Sequence, residues 1–189
     1  MRIIVGITGA SGAVYGLRLV EQLKLLEVET HLVLSDWARR TIKLETGLDP
    51  DEVARAADVC YEAGNLAAPP ASGSFIRHGM VVAPCSMKTL AAIACGFTDN
   101  LIVRAADVTL KEGRQLILLP RETPLNPIHL ENMLKLARTG TVIMPPVPAF
   151  YHQPRSIDDI VLHTVGRVLD RFGLEHSLVK RWTGYGEGE

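Results

Sequence analysis

The amino-terminal segment reads Arg2-Ile3-Ile4-Val5-Gly6-Ile7-Thr8-Gly9-Ala10-Ser11-Gly12-Ala13, a short apolar run that passes into a glycine-rich turn. The run predicts a buried parallel strand, and Leu19, Leu23 and Leu26 then mark one face of a predicted helix. A glycine-rich turn between strand and helix presents backbone N–H groups at the positive end of the helix, which suits a phosphate. The hydroxyls of Thr8 and Ser11 add two donors. The segment therefore predicts a nucleotide-like cofactor held by its phosphate.

The composition predicts one globular domain. With 189 residues, 47% of them hydrophobic, the chain is long enough for one well-packed domain and short for two. The formal net charge of −1 argues against a nucleic-acid binder that works by bulk charge. No apolar stretch is long enough for a membrane span, and the first one is too short for a secretory signal. Cys60, Cys85 and Cys95 lack the spacing of a disulfide framework or zinc site, so we expect the reducing cytoplasm.

Strand and helix patterns alternate along the chain, which is typical of a parallel sheet with helices on both faces. We predict an α/β protein of three layers, α/β/α, with a mostly parallel sheet. The predicted strands are residues 2–7, 29–34, 80–83, 115–119 and 141–144. Residues 67–74 are rich in proline, glycine and serine and predict a loop. One domain is expected over residues 1–182, with a loosely held tail at residues 183–189.

The loops after the predicted strands hold most of the unusual residues. Ligands of such sheets bind beyond the carboxyl ends of the strands. A dinucleotide site is disfavoured because Gly6, Gly9 and Gly12 do not form GxGxxG, and no tyrosine has a lysine four residues later. A mononucleotide fits better, because hydroxyl side chains recur at the strand ends: Ser11, Ser35, Ser86 and Thr89. Ser35 and Ser86 fit simple helix caps equally well, and that alternative stays open.

Charged side chains near these loops are further candidates. Arg121 and Glu122 directly follow a strand, where a charged pair is poor for burial and well placed to face a ligand. A surface ion pair is the alternative. Lys111 ends a helix, where a cation also favours the negative end of the helix dipole. Glu45 and Arg167 fit ordinary solvated helix positions.

The loop Tyr151-His152-Gln153-Pro154 is aromatic, polar and fixed by proline, which indicates that it shapes a site. His129 and His152 have no partner at metal-ligand spacing, so no metal is expected. A serine hydrolase is also unsupported, because Gly9-Ala10-Ser11-Gly12 is one residue short of GxSxG.

Seven short blocks carry a more specific signal through their order and spacing. They are Thr8-Gly9-Ala10-Ser11-Gly12-Ala13, Pro69-Pro70-Ala71-Ser72-Gly73-Ser74, Pro84-Cys85-Ser86, Arg104-Ala105-Ala106-Asp107-Val108, Pro120-Arg121-Glu122, His129-Leu130-Glu131-Asn132-Met133 and Pro148-Ala149-Phe150-Tyr151-His152. Each block alone is weak evidence. Together they resemble the UbiX-type flavin prenyltransferases over residues 2–182, nearly the whole chain.

The resemblance implies a flavodoxin-like, Rossmann-like fold in a homo-oligomer, typically a dodecamer, with sites near subunit contacts. It implies transfer of a dimethylallyl group from dimethylallyl phosphate to N5 and C6 of reduced FMN, which closes a fourth flavin ring. The product, prenylated FMN, is the cofactor of partner UbiD-type decarboxylases. In bacteria that partnership commonly serves ubiquinone synthesis or aromatic-acid decarboxylation.

Residue by residue, the resemblance puts the FMN site on Gly9, Ala10, Ser11, Ser35, Ser86, Met87, Lys88, Thr89 and Arg121. It puts the prenyl-phosphate site on Tyr151 and Arg167, with Lys111 nearby. Lys111, Arg121 and Arg167 suit the charge of a departing phosphate without a metal. Glu45 and Glu122 are the candidates for moving protons at N5 and C6, through Ser11, with released phosphate as an alternative base.

Two other functions stay open. A flavin-dependent decarboxylase of the phosphopantothenoylcysteine decarboxylase type shares the fold. Its Pro-Ala-Ser-Ala-Asn-Thr pattern differs, however, from Pro84-Cys85-Ser86-Met87-Lys88-Thr89. A non-catalytic flavin-binding subunit would bind FMN without turnover and would tolerate substitution of Glu122.

Overall fold

A computed structural model describes residues 1–179, 181–182 and 184. The described strands are β1 (Arg2–Ile7), β2 (Glu29–Leu34), β3 (Val59–Glu62), β4 (Gly79–Cys85), β5 (Gln115–Pro120) and β6 (Val142–Ile143). The described helices are α1 (Ala13–Leu25), α2 (Asp36–Thr46), α3 (Pro50–Ala56), α4 (Met87–Cys95), α5 (Leu101–Lys111), α6 (Pro127–Ala137) and α7 (Ile157–Arg171). The chain divides into two compact units, the first ending at Pro146 and the second beginning at Val147.

One parallel sheet organises the first unit, with the strand order β3-β2-β1-β4-β5-β6. Without the short edge strand β3, this is the strand order of flavodoxin-like folds. The order reverses between β1 and β4, and sheets of this type bind ligands beyond the carboxyl ends of the strands at such a reversal. The predicted parallel sheet is confirmed. Its topology indicates a ligand site beyond the carboxyl ends of β1 and β4.

Helices cover both faces of this sheet within the first unit. On one face, α1 lies so close to β1 that a Cβ at Gly16 would overlap the side chain of Ile7. On the other face, Ile4 belongs to a buried core that includes Leu90 of α4 and Ile102 of α5. Because successive strand residues point to opposite faces, a strand covered on both sides reads as one apolar run. The predicted three-layer arrangement is confirmed.

Two strands differ from the sequence prediction. The pattern of Val59–Glu62 does not predict β3, because its four residues are exposed or half-buried and show no apolar alternation. β6 is limited to Val142–Ile143, where residues 141–144 were predicted. The N–H of Thr141 donates to the Leu136 carbonyl at the end of α6, and Pro145 has no N–H to continue the ladder.

Among the described residues, the second unit contains a loop, α7 and the segment that follows it. The Ser156 hydroxyl accepts from the Asp159 N–H at 3.1 Å, and the Asp159 carboxylate accepts from the Ser156 N–H at 3.0 Å. This reciprocal cap begins the final helix. One domain over residues 1–182 stays a prediction. Of the predicted tail, all residues except Gly184 lie outside the described part of the chain.

No helix among the described residues has the length and apolar character needed to cross a membrane.

Candidate active site

The carboxyl ends of β1 and β4 are joined through one buried hydroxyl. Thr8 Oγ1 donates to the Pro84 carbonyl at 2.7 Å and accepts from the Ser86 N–H at 2.8 Å. Thr8 is 2% exposed, so its hydroxyl is committed to holding the two loops together. We expected it to be a phosphate donor, and that expectation is wrong because both roles of the hydroxyl are already filled.

Glu45, near the end of α2, lies against the glycine-rich turn. Its carboxylate accepts from the N–H groups of Gly12 and Ala13, with Oε2 at 2.9 Å from each nitrogen. These are the first N–H groups of α1, where we predicted the cofactor phosphate. Among the described residues, the N–H groups of Gly9, Ala10 and Ser11 have no acceptor. The donors open to an anion are therefore in the turn itself, and Glu45 already occupies the helix end.

One face of α2 runs along the same turn. Trp37, Thr41 and Glu45 are spaced four residues apart, so they share this face. Thr41 Oγ1 lies 3.4 Å from the Gly9 carbonyl, and a Cβ at Gly9 would overlap the Cβ of Trp37. The turn thus requires glycine at position 9 because α2 packs directly against its backbone.

Gly9→Ala should destabilise the protein by about 1–3 kcal/mol, since the added methyl forces Trp37 away from the turn. The same substitution should weaken FMN binding, because the predicted cofactor loop moves. Gly64→Ala is the matched control, since a Cβ there meets nothing within 4 Å. Urea unfolding and FMN titration check both effects. Equal behaviour of the two variants would show that the Trp37 contact does not constrain the turn.

Ser35 and Ser86 are helix caps. Ser35 Oγ accepts from the Ala38 N–H at 3.1 Å, and Ser86 Oγ accepts from the Thr89 N–H at 3.3 Å. The cap interpretation is confirmed for both, and it does not remove them from a ligand site. A hydroxyl that accepts from a helix N–H keeps its own proton for another acceptor. The Ser35 hydroxyl can still donate to a ligand, whereas the Ser86 hydroxyl donates to Thr89 Oγ1 at 3.1 Å.

The other residues predicted at this edge follow in α4 and after β5. Met87 is half-buried and Lys88 is exposed in the first turn of α4. The Arg121 N–H donates to the Cys85 carbonyl at 3.2 Å, which brings Arg121 beside the loop of Ser86. The side chains of Arg121 and Glu122 are exposed, and Arg121 forms no ion pair with any described residue. Ser86–Thr89 and Arg121–Glu122 therefore share one edge with the glycine-rich turn.

Lys111 lies near the amino ends of the strands, opposite the carboxyl ends where Ser86 and Arg121 lie. It ends α5, directly before β5, and its ammonium group pairs with Glu112 at 2.8 Å beside Gly73. Arg121 follows the carboxyl end of β5, so the six-residue strand separates the two by about 20 Å. Within one chain, Lys111 is not brought together with the other predicted residues.

In the second unit, Tyr151 and Arg167 are both exposed. The Tyr151 hydroxyl lies 3.0 Å from Nε2 of His163, and Arg167 lies 3.7 Å from Asp170. The sequence pattern did not single out His163. The available signal was its position on α7, one turn before Arg167 on the same face.

No three His, Cys, Asp or Glu side chains come close enough to hold a metal ion within the part of the chain that the structure describes.

Comparisons with known proteins identify the family of the chain. The family model described as Flavoprotein matches residues 1–169. A probable UbiX-like flavin prenyltransferase from Streptomyces sp. (strain D7) is 56% identical over 185 residues, covering 97% of this chain and 92% of the relative. The chain belongs to the flavoprotein family and, within it, to the UbiX-like flavin prenyltransferases. The resemblance inferred from the sequence blocks is confirmed.

Two solved structures share the fold closely. The crystal structure of AnUbiX (PadA1) in complex with FMN and dimethylallyl pyrophosphate has a TM-score of 0.96 and 54% identity, with 98% of each chain covered. A dodecameric FMN-dependent UbiX-like decarboxylase from Escherichia coli O157:H7 has a TM-score of 0.95 and 56% identity, covering 97% of this chain and all of that one. The predicted flavodoxin-like fold is confirmed.

Proposed function

We propose that this flavin prenyltransferase moves a dimethylallyl group from dimethylallyl phosphate to N5 and C6 of reduced FMN. The observation that carries the proposal is the edge at the β1–β4 reversal, where Ser11, Ser86 and Arg121 lie in neighbouring loops. The proposal rests on that edge together with relatives of more than half identity that are named for this activity.

The donor set at this edge fits FMN. The free N–H groups of residues 9–11 and the protons of Ser35 and Thr89 suit phosphate oxygens, and the exposed Arg121 adds a positive charge. Reduced FMN supplies the nucleophilic N5 and C6 atoms. In the proposed function, the chain holds FMN through these donors and leaves one face of the flavin open to the prenyl donor.

The prenyl donor loses its phosphate as the allylic C–O bond breaks, so negative charge grows on that phosphate. Preorganised cations and hydroxyl donors lower the barrier by stabilising such charge. Arg167 and Tyr151, both in the second unit, are the proposed ligands of the phosphate, with a Lys111 as a further cation. Holding the prenyl donor and the flavin close together in the reactive orientation supplies much of the remaining rate enhancement.

The Lys111 of this site comes, in the proposal, from a neighbouring copy of the chain. The support is geometric, because the chain's own Lys111 is at the amino edge of the sheet, about one strand length from Arg121. A dodecameric relative of 56% identity offers a precedent for assembly. We propose a homo-oligomer, of dodecamer type, in which the amino edge of one copy meets the carboxyl edge of another.

The N5 proton must leave as the N5–C bond forms and the C–O bond to phosphate breaks. Ring closure removes the C6 proton, while the prenyl double bond that is consumed gains a proton at its other carbon. Glu45 is the proposed acceptor, with Ser11 as relay, because its carboxylate lies on the same turn as Ser11. Glu122 is the second candidate, on an exposed loop where its Oε1 accepts from the Thr123 N–H at 3.0 Å.

Arg121→Ala should weaken FMN binding by about tenfold to a hundredfold, the worth of hydrogen bonds to a charged group. Arg138→Ala is the control, since Arg138 is an exposed arginine at the far end of α6. Equilibrium FMN titration measures both. Equal affinities for the two variants would remove Arg121 from the proposed FMN site.

The proposed function is tested by the release of inorganic phosphate from dimethylallyl phosphate under anaerobic conditions. Release should require protein and reduced FMN together, with about one phosphate per flavin consumed. Oxidised FMN is the negative control. Phosphate release that ignores the redox state of the flavin would point to simple hydrolysis and contradict the proposal.

The product is proposed to serve a UbiD-type decarboxylase, in ubiquinone synthesis or aromatic-acid decarboxylation. The test is to add the released flavin to such a decarboxylase purified without its cofactor and to measure the activation of the decarboxylase.

We propose the cytoplasm as the compartment, in keeping with the free thiols of Cys60, Cys85 and Cys95.

A further inference from the structure

Two histidines of the second unit stack beside Tyr151. The rings of His152 and His163 are nearly parallel, with an interplanar angle of 4° and centroids 4.6 Å apart. The Tyr151 ring meets both edge-on, and its hydroxyl lies 3.0 Å from Nε2 of His163. The three side chains therefore form one packed cluster, in which only His163 hydrogen-bonds to the tyrosine hydroxyl.

The cluster favours a neutral His163. Burial lowers the pKa of His163 below its usual value, and His152 and Arg167 lower it further against the opposing Asp170. His163 is 8% exposed. A neutral imidazole carries its single proton on one of two nitrogens, so Nε2 is either a donor or an acceptor toward Tyr151. Whether Nε2 donates or accepts determines whether the Tyr151 hydroxyl still has a proton to donate to a ligand.

The chemistry of the ligand selects between these arrangements. A phosphate monoester is mostly a dianion at neutral pH and accepts hydrogen bonds only. A Tyr151 hydroxyl that donates its hydrogen bond to His163 has no proton left to donate to the phosphate. A His163 that donates from Nε2 to the tyrosine oxygen leaves that proton free.

We propose that His163 is a positioning residue, which donates from Nε2 to the Tyr151 oxygen and so turns the Tyr151 hydroxyl proton toward the phosphate of the prenyl donor. This inference rests on the proposed function, in which Tyr151 binds that phosphate. His163 itself does not touch the substrate. It selects which of the two in-plane directions the Tyr151 O–H takes.

His152 supports the same arrangement from the other side of the His163 ring. Both ring nitrogens of His152 are buried without a hydrogen-bond partner among the described residues. Two unpaired polar atoms are costly, and an aliphatic side chain would fill the space without that cost. The flat ring instead provides a stacking surface, which holds the plane of His163 and keeps Nε2 aimed at Tyr151.

The test is a binding cycle on FMN-loaded protein, with the flavin kept oxidised so that dimethylallyl phosphate binds without turnover. His163→Leu and Tyr151→Phe should each raise the dissociation constant by about fivefold to tenfold, the worth of one hydrogen bond. The double variant should bind as weakly as Tyr151→Phe alone. His163→Gln should bind nearly as well as wild type, because its amide N–H can donate in the place of Nε2.

FMN affinity serves as the control for folding and should be unchanged in all four variants. The inference is overturned if His163→Leu binds like wild type, or if its effect persists undiminished in the Tyr151→Phe background. It is also overturned if His163→Gln is as weak as His163→Leu. A wild-type holoprotein that binds no dimethylallyl phosphate overturns the proposed function and this inference with it.

Discussion

Glu45→Gln should lower kcat for flavin prenylation by about a hundredfold or more while FMN affinity stays near wild type. The amide oxygen of glutamine can still accept from the N–H groups of Gly12 and Ala13, so the turn keeps its shape. The amide cannot take up a proton, however, so the step that needs a base slows. A large loss of kcat at constant affinity is the signature of a group that acts only in the transition state.

The measurement is anaerobic single-turnover kinetics, with FMN affinity determined in parallel. Glu52→Gln provides the matched control, as an exposed glutamate in the first turn of α3. Glu122→Gln, studied beside them, ranks the two candidates. The role of Glu45 is refuted if its variant retains wild-type kcat, or if FMN affinity and kcat fall together as they would for a damaged turn.

Lys111→Ala and Glu45→Gln should each lower turnover by about a hundredfold or more, yet hybrid oligomers of the two variants should recover about a quarter of wild-type activity. The reason is that each proposed site combines the carboxyl edge of one copy with Lys111 of another. A site is intact when its edge comes from the Lys111→Ala copy and its lysine from the Glu45→Gln copy. In random hybrids each condition is met half the time.

The hybrids are made by co-expression with two different tags and purification over both. The control is a mixture of the two separately purified oligomers, which should be as slow as the single variants. Light scattering fixes the oligomeric state of each sample. Hybrids no more active than the mixture, or a monomer with full activity, would mean that Lys111 works within its own chain or not at all.

The sequence was sufficient to predict the edge of the sheet at which we propose the site. An apolar run that ends in glycine, followed by a helix pattern, specifies a strand, a turn and a helix by local rules. The same local rules identified Ser35 and Ser86 as residues at strand ends. Because parallel strands align their carboxyl ends, residues far apart in the chain could be assigned to one edge without knowing their contacts.

Contacts that depend on the direction of a helix were beyond the sequence. Glu45 was predicted to be a solvated acid by its position, and only the path of α2 along the turn brings it to Gly12. His163 was missed because a histidine on an amphipathic helix looks like any other polar residue until its neighbours are known.

Lys111 could have been placed from the sequence. A helix that precedes a parallel strand must end at the amino edge of the sheet, opposite the carboxyl ends of the strands. The topology therefore separates Lys111 from Arg121 within one chain. In the proposed site, the lysine comes from another copy of the chain.

The most direct test of the account is mass spectrometry of the flavin after anaerobic incubation of the purified protein with FMN, a reductant and dimethylallyl phosphate. The account predicts a flavin heavier by one dimethylallyl unit, formed only when protein and all three reagents are present. FMN that is bound and recovered unmodified under these conditions would contradict it, and would favour a flavin-dependent decarboxylase or a non-catalytic flavin-binding subunit.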